Sequence, residues 1–462
     1  SIPTYETAED AVKTYINMCR YSRNLALLYE TPSELPLEDA PPKYHLKALL
    51  KKIAKEGRTL LTEEESKDFL SIYGIPVTRP HLCRDAYDAI EAAKRVEYPV
   101  VLKIVSPDII HKIDVGGVII GIKTEEELRH AYERMLKNVK EKAPRAAITG
   151  ITLQKMLEGI DYEVILGTKK DKDFGSIILF GMGGIGTEIF RDISIGIPPL
   201  NQTLARRLIE ETQVYKMLQG YRGKPPADLM QLEQIIVNFT NLVVDFPEIA
   251  EMDINPVAIA DGKAFAIDAR IIIDKDCIDH ASQYPHLVIT PYPIRYVTNW
   301  KMSDGTEATL RPIKPEDEPL ELEMLSTLSS ETLRTRFFSI IKDISHEMLV
   351  RFCNIDYDRQ MAIVAEMKDA GKKRIIGIGR LILDSDLRSG EYAVLVHDQF
   401  HGKGLGYKLV DLIIGIAQDK GLDEIYGTVL SENDRMLRVA KRLGFALKRL
   451  PDGLVEVRLT LK

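Results

Sequence analysis

Apolar positions change their spacing several times along the chain, and each change marks an element. Residues 5–30 carry apolar side chains at Ala11, Val12, Tyr15, Ile16, Met18 and Cys19, a spacing that predicts a helix. In the stretch TPSELPLEDAPPKY that follows, Pro32, Ser33, Pro36, Pro41 and Pro42 favour turns over helix, so residues 31–46 read as a linker. Helix-like and strand-like periods then alternate. Thr62 with Glu65 three positions later forms a capping box, opening a helix that ends at Gly74. Apolar runs at 99–105, 117–122, 151–157, 162–168, 176–181 and 263–273 predict strands, and charged amphipathic stretches at 124–142 and 201–219 separate several of them. Together these make an α+β domain over residues 47–276.

Residues 277–291 read as a second linker, with further prolines at its edge. Beyond it the pattern predicts a strand pair at 294–313, two helical stretches across 316–352, and strands at 361–367, 374–384 and 390–397. A glycine-rich turn, a long helix, the strand EIYGTVL, the helix NDRMLRVAKRL and a closing strand complete the chain. The fold class is therefore α/β and α+β, in more than one domain.

The length of 462 residues exceeds one compact core, and 45% hydrophobic with 28% charged residues suits an ordinary soluble globular protein. With 62 basic against 69 acidic residues the net charge is -7, so neither nucleic acid nor a membrane surface is an expected partner. Cys19, Cys83, Cys277 and Cys353 show no paired or metal-ligand spacing, which suits reduced thiols in a cytoplasm. No apolar run reaches the length of a bilayer and the first residues lack an export signal, so a cytoplasmic location is expected. The chain begins at Ser1, in what reads as the middle of a domain, and is expected to be a piece of a longer polypeptide.

The strongest chemical signal is EYAVLVHDQFHGKGLGYKLVDLIIGIAQDKG at 391–421. A strand enters HGKGLG, whose glycines let the backbone approach an anion, and the helix beginning there points N–H groups and its positive end at that anion. Downstream, ENDRMLRVAKRLGF places Asn433 at a strand end, with Gly444 and Phe445 following one helix later. In this order and spacing the two motifs resemble the GNAT acetyltransferase superfamily over residues 292–462.

The resemblance implies that acetyl-CoA binds at the turn His401, Gly402, Lys403, Gly404, Leu405 and Gly406. It further implies that the strand at Leu395 and Val396 pairs its backbone with the pantetheine arm and that Asn433 bonds the same arm. His401 stands where Gln or Arg is usual, and a plain surface histidine is the favoured reading of it. Amine acylation requires a base, because a lysine ammonium near pKa 10.4 is almost wholly protonated at neutral pH. Glu391, which opens the strand, is the expected general base, as in relatives of the protein acetyltransferase Pat; the alternatives are a solvated strand-end charge and, in reserve, Glu432. Ala440 stands where many of these enzymes carry a tyrosine acid, so water, the helix dipole or backbone amides must serve the leaving thiolate.

In the central domain VVLKIVSPDIIHKIDVGGVIIGI puts Lys103 on a strand and His111, Lys112 and Asp114 in a loop closing at Gly116 and Gly117. A second glycine loop holds Gly181, Gly183, Gly184 and Gly186, followed by Glu188 and Asp192; farther on, Asp253, Asn255 and Asp268 offer hard oxygen ligands. These segments resemble an ATP-grasp domain of the ADP-forming acyl-CoA synthetase kind. The resemblance implies that ATP phosphates meet Lys103, that Asn255 and Asp268 hold Mg²⁺, and that His111 sits at a phosphohistidine position with Asp253 as its orienting partner; a surface histidine is the alternative. Residues 1–30 resemble the tail of a CoA-ligase region. A CoA-binding synthetase domain or subunit is therefore a candidate partner. The fused layout resembles Pat-type protein lysine acetyltransferases, which implies protein lysines as substrates and a regulatory ATP-grasp domain; acyl-CoA ligation by that domain is the alternative.

Overall fold

The helix expected near the N-terminus forms as α1 (Ala8–Leu28), with Val12, Tyr15, Ile16 and Met18 exposed. The computed structural model describes residues 3–35, 41–106, 108–109, 112–184, 192–278, 284–338, 344–369 and 371–461. Two units result: Ser1–Glu38 joined with Thr290–Lys462, and Asp39–Ile289. The stretch read as the first linker is divided between them. Ser33 bridges Tyr292 in the first unit, while α2 (Lys43–Lys55) already belongs to the second.

In the second unit, α3 (Glu63–Ile72) starts at the expected capping box, Thr62 accepting from the Glu65 N–H and Glu65 from that of Thr62. A four-stranded antiparallel sheet follows, built from β1 (His81–Cys83), β2 (Val100–Val105), β3 (Val118–Ile122) and β4 (Gly150–Lys155) in the order β1-β4-β2-β3. Helices α4 (Ala86–Val96) and α5 (Glu125–Lys142) bury Ala89, Leu128 and Met135 against Leu102, Ile104 and Leu153 of its strands.

The other sheet of this unit comprises β5 (Ile160–Asp171), β6 (Gly175–Met182), β7 (Ile193–Gly196), β8 (Ile249–Ala260), β9 (Lys263–Ala266) and β10 (Ala269–Ile273). Its order is β10-β8-β5-β6-β7, with β9 also on β8. The amphipathic stretch at 201–219 is two helices, α6 (Gln202–Glu210) and α7 (Val214–Leu218), because the Asp192 carboxylate caps the Gln213 and Val214 N–H groups and restarts the helix. Helix α8 (Leu229–Asp245) buries Ile235, Ile236, Phe239 and Leu242. The run 263–273, expected as one strand, is two: both halves pair with β8, and the ladder lapses opposite Asn255 and Pro256, where proline has no N–H to donate.

The first unit carries an eight-stranded sheet: β11 (Thr298–Lys301), β12 (Glu307–Pro312), β13 (Gln360–Asp369), β14 (Lys372–Leu383), β15 (Ser389–Val396), β16 (Glu424–Leu430), β17 (Ala446–Arg449) and β18 (Leu454–Thr460). The order is β11-β12-β13-β14-β15-β16-β18-β17, and every neighbouring pair is antiparallel except β15 with β16. The helical region at 316–352 holds three helices rather than two, α9 (Glu318–Ser326), α10 (Ser330–Phe337) and α11 (His346–Cys353), each of the last two restarted by a serine cap. They cover one face through Leu325, Leu349 and Cys353 against Val364, Ile378 and Leu395. On the other face α12 (Leu405–Asp419) packs Leu405, Leu409 and Ile413 against Ile376, Leu381 and Tyr392, and α13 (Asp434–Arg442) adds Ala440.

Candidate functional site

The parallel pair sets the geometry of the C-terminal site. Strand β15 pairs with β16 only through Ser389–Glu424, Gly390–Ile425 and Glu391–Tyr426, after which the strands part. The opening widens toward their C-terminal ends and leaves one main-chain edge of Tyr392–Val396 without a strand partner. One side of the opening ends in residues 401–406. Gly404 caps α12 at φ +89°, a left-handed conformation that side-chain-bearing residues rarely adopt, so the first N–H groups of the helix are presented to the opening. Closeness to the strands depends on Gly377 of β14: a Cβ there would stand 2.9 Å from Leu405 Cδ2 and 3.1 Å from Leu409 Cδ1.

The side chains predicted to help at the turn are otherwise engaged. His401 accepts from the Arg435 guanidinium at Nδ1 (2.9 Å), so in the neutral ring Nε2 carries the proton and donates to the Val396 carbonyl (2.9 Å). It therefore clamps strand, turn and α13 together rather than projecting toward an anion. Lys403 pairs with Asp304 (2.9 Å), which is held at about 2 chiefly by that bond. Exposed Gly402 and half-buried Gly406 leave the turn's main chain bare. Asn433 lies past the end of β16 rather than in it, as the N-cap of α13; its Oδ1 accepts from the Met436 N–H (3.1 Å), leaving its amide N–H groups for a ligand. Arg435, which sequence reasoning missed, brings the positive charge that His401 lacks.

Glu391 is the last residue of β15 paired with β16, is exposed, and its carboxylate forms no hydrogen bond or ion pair among the described residues. Tyr426 opposite it bonds Asp384 (3.0 Å). The reserve residue Glu432 is held by Arg334.

The second unit gathers a cation cluster that the sequence reading only half found. Lys103 on β2 is buried and bonds Glu63 Oε1 (2.7 Å) and the Ile267 carbonyl (3.3 Å). Lys67 bonds the same Oε1 (2.9 Å), and Lys112 bonds Oε2 (3.0 Å). Burial alone would raise the Glu63 carboxyl, but Lys103, Lys67 and Lys112 overcome that and hold it far below the usual range. Burial pushes Lys67 down to about 8. Three ammonium groups on one carboxylate leave an excess of positive charge, which an anion such as a polyphosphate would balance.

Asp268 lies 4.0 Å from Lys103, at the break between β9 and β10. The β8–β10 register, continued by the Ile267 N–H bond to Pro256 O, sets Asp268 opposite Asn255. One carboxylate and one amide oxygen suit a Mg²⁺ whose remaining ligands come from phosphates and water. Among the described residues no group of three His, Cys, Asp or Glu could hold a metal by itself. Gly181 and Gly183 close β6 where the main chain crowds Asp192 and Val164, and Gly184 follows at φ +69°. Asp192 is a helix cap rather than a ligand. His111, Gly186 and Glu188 lie outside the described residues.

Family models match an ATP-grasp domain over residues 52–273 and an acetyltransferase (GNAT) domain over residues 308–446. The chain is 40% identical over 225 residues to the beta subunit of an ADP-forming acetate–CoA ligase I of Pyrococcus furiosus, covering 49% of this chain and 96% of that subunit. It is 36% identical over 273 residues to an ADP-forming 4-hydroxybutyrate–CoA ligase of Nitrosopumilus maritimus, covering 59% of this chain but only 38% of that protein. With an acetyltransferase of Pseudomonas aeruginosa it shares 31% identity over 156 residues, 34% of this chain and 84% of that one. The chain thus spans well under half the length of the 4-hydroxybutyrate–CoA ligase. It belongs to two families at once, the ATP-grasp proteins of ADP-forming acyl-CoA ligases through residues 52–273 and the GNAT acetyltransferases through residues 308–446.

Proposed function

We propose that the first unit transfers the acetyl group of acetyl-CoA to the side-chain amine of protein lysines, with Glu391 as general base. The observation that carries this reading is the parting of β15 and β16 directly after Glu391, beside a helix that starts at Gly404. The edge of β15 without a strand partner, which runs up to the Val396 carbonyl held by His401, suits the amide-rich arm of CoA, and the N–H groups at residues 402–406 suit its pyrophosphate. Glu391 takes a proton from the ammonium; the freed nitrogen attacks the thioester carbon, the C–N bond forms and the C–S bond breaks, and CoA leaves as the thiolate. Ala440 is fully buried, so α13 offers no hydroxyl at that position and solvent protonates the thiolate. The fusion to a ligase-like unit supports protein lysines over small amines, by analogy.

In the second unit Lys103 and Lys112 would hold the phosphates of ATP, with buried Lys67 adding positive charge behind them, and Asn255 with Asp268 would hold its Mg²⁺, which supplies charge neutralisation when bound. This unit senses nucleotide for the acetyltransferase. The cluster on Glu63 favours a second reading, in which it phosphorylates His111 as one half of an acyl-CoA ligase completed by a CoA-binding domain or subunit; acid-labile label on the chain after incubation with γ-labelled ATP tests it.

The primary test is CoA release from acetyl-CoA in the presence of a lysine-bearing protein, with acetylated lysines read by mass spectrometry. Glu391→Gln is expected to slow release by about 10²–10⁴-fold. Equal rates in both forms refute the assignment of the base.

A further inference from the structure

Beside β15, on the face carrying α9 to α11, lies a narrow cleft lined by Glu321, Arg336, Phe352, Arg380, Ala393 and Leu395, among others. Side chains alternate along a strand, so Ala393 and Leu395 share this face with Glu391. Two guanidinium groups and one carboxylate meet here. Arg380 is paired: it bonds Glu321 Oε1 (2.6 Å) and the Phe352 carbonyl (2.7 Å) and lies 4.8 Å from the centre of the Phe352 ring. Glu321 spends its other oxygen on the Cys353 thiol (3.1 Å).

Arg336 is different. Half-buried on α10, it forms no hydrogen bond or ion pair among the described residues, its one recorded contact being the adjacent Phe337 ring. Burial, and then the like charge of Arg380, make its guanidinium easier to deprotonate than usual, while Glu391 and Glu321 act in the opposite sense. An arginine stays charged in a protein, and among the described residues no carboxylate bonds this one directly, so its planar fork of donors is open to a ligand. Its helix is fixed: Asp398, just past β15, accepts from the Ser329 N–H (2.8 Å), the Ser329 hydroxyl (2.8 Å) and the Thr332 hydroxyl (2.6 Å) at the start of α10. The start of the helix that carries Arg336 is thereby tied to the end of the strand that bears Glu391.

We propose that Arg336 is the acceptor-recognition residue and binds a carboxylate carried by the amine substrate, whose nitrogen is presented to Glu391. This rests on the acetyltransferase reading above. The carboxylate belongs to a free amino acid or to an acidic residue beside a protein lysine; both give the same fork-on-carboxylate pairing, and the experiment separates them.

The chain and its Arg336→Gln and Arg336→Lys forms are assayed for CoA release with four acceptors: lysine, lysine amide, and two peptides in which the residue beside lysine is Glu or Gln. Wild type is expected to favour the carboxylate member of one pair by at least about 10-fold in kcat/KM, the size of a charge-assisted bond. The pair that shows the preference names the source. Arg336→Gln abolishes the preference while KM for acetyl-CoA stays within about 2-fold, and Arg336→Lys, which keeps the charge but not the fork, restores part of it. The proposal is overturned if wild type shows no preference in either pair, if Arg336→Gln slows all four acceptors equally, or if it instead removes a preference for succinyl-CoA over acetyl-CoA, which would place the carboxylate on the acyl chain. If wild type acetylates no acceptor, the acetyltransferase reading fails. Equilibrium binding of the same two pairs in Nε-acetylated form then still decides on Arg336, because wild type must bind the carboxylate member of one pair at least about 10-fold more tightly and Arg336→Gln must not.

Discussion

Replacing Gly377 with alanine tests whether the height of α12 above the sheet sets affinity for CoA. The added Cβ would lie 2.9 Å from Leu405 Cδ2 and 3.1 Å from Leu409 Cδ1. Carbon atoms in good contact are about 3.5–4.0 Å apart, so both leucines must retreat by roughly half an ångström or more. Both are fully buried in the core, and the nearest freedom is movement of the first turn of α12 itself. Overpacking of this kind costs about 1–3 kcal/mol of stability. Because that turn starts at Gly404, the same movement carries its N–H groups away from β15 and weakens a charge-assisted hydrogen bond, worth about 1.5–3 kcal/mol when well made. KM for acetyl-CoA is therefore expected to rise about 10-fold, with KM for the acceptor changed by less than about 2-fold, in steady-state CoA-release assays. A lowered melting temperature with unchanged KM for acetyl-CoA would mean that the leucines repack in place, and the link between strand glycine and cradle would be wrong.

Two predictions concern the ATP-grasp unit. Glu63→Gln removes the carboxylate that fully buried Lys67 bonds and leaves it beside Lys103, with Asp268 4.0 Å from Lys103 as the remaining counter-charge, and urea unfolding should show a loss on the order of 3 kcal/mol; ATP or pyrophosphate should raise the melting temperature more in this variant than in wild type, since the anion replaces the lost charge. His286, buried with Nε2 on the Val243 carbonyl (2.8 Å), is pushed by burial from 6.5 down to about 4. The unfolded chain therefore takes up a proton that the folded chain refuses, so this contribution to stability is complete above pH 6.5 and shrinks as pH falls toward 4, by about 3 kcal/mol in all. Stability measured across that range should fall less steeply in His286→Phe, and an identical slope in both proteins would show that His286 does not cause the acid loss.

What the sequence disclosed was what neighbours in the chain can encode. The glycine turn, the helix behind it and the strand before it are contiguous, and they appear where the pattern put them. Lys103 stood out because a lysine within VVLKIV must find a partner once the strand is buried. Its partner Glu63 did not, since it comes from a helix 40 residues away and looks like any acidic first-turn residue. Lys67 gave one faint sign, a charge on the face of α3 that also carries Phe69 and Leu70. Arg336 and Arg380 meet only because α10 and β14 line the same cleft, which no local spacing records. Asn433 was identified as a residue but its bond was not, because the end of β16 and the cap of α13 are separated by two residues whose path the pattern leaves open. The run 263–273 looked continuous because its interruption is dictated by Pro256 on the neighbouring strand.

The bare edge of β15 consists of peptide groups, which every residue type supplies alike. On the proposed reading, grip on the donor there would survive exchange at Ala393, whose side chain shapes the cleft instead. Substrate choice can thus drift across generations by altering one wall of the strand, while the thioester continues to be read by atoms that mutation does not change.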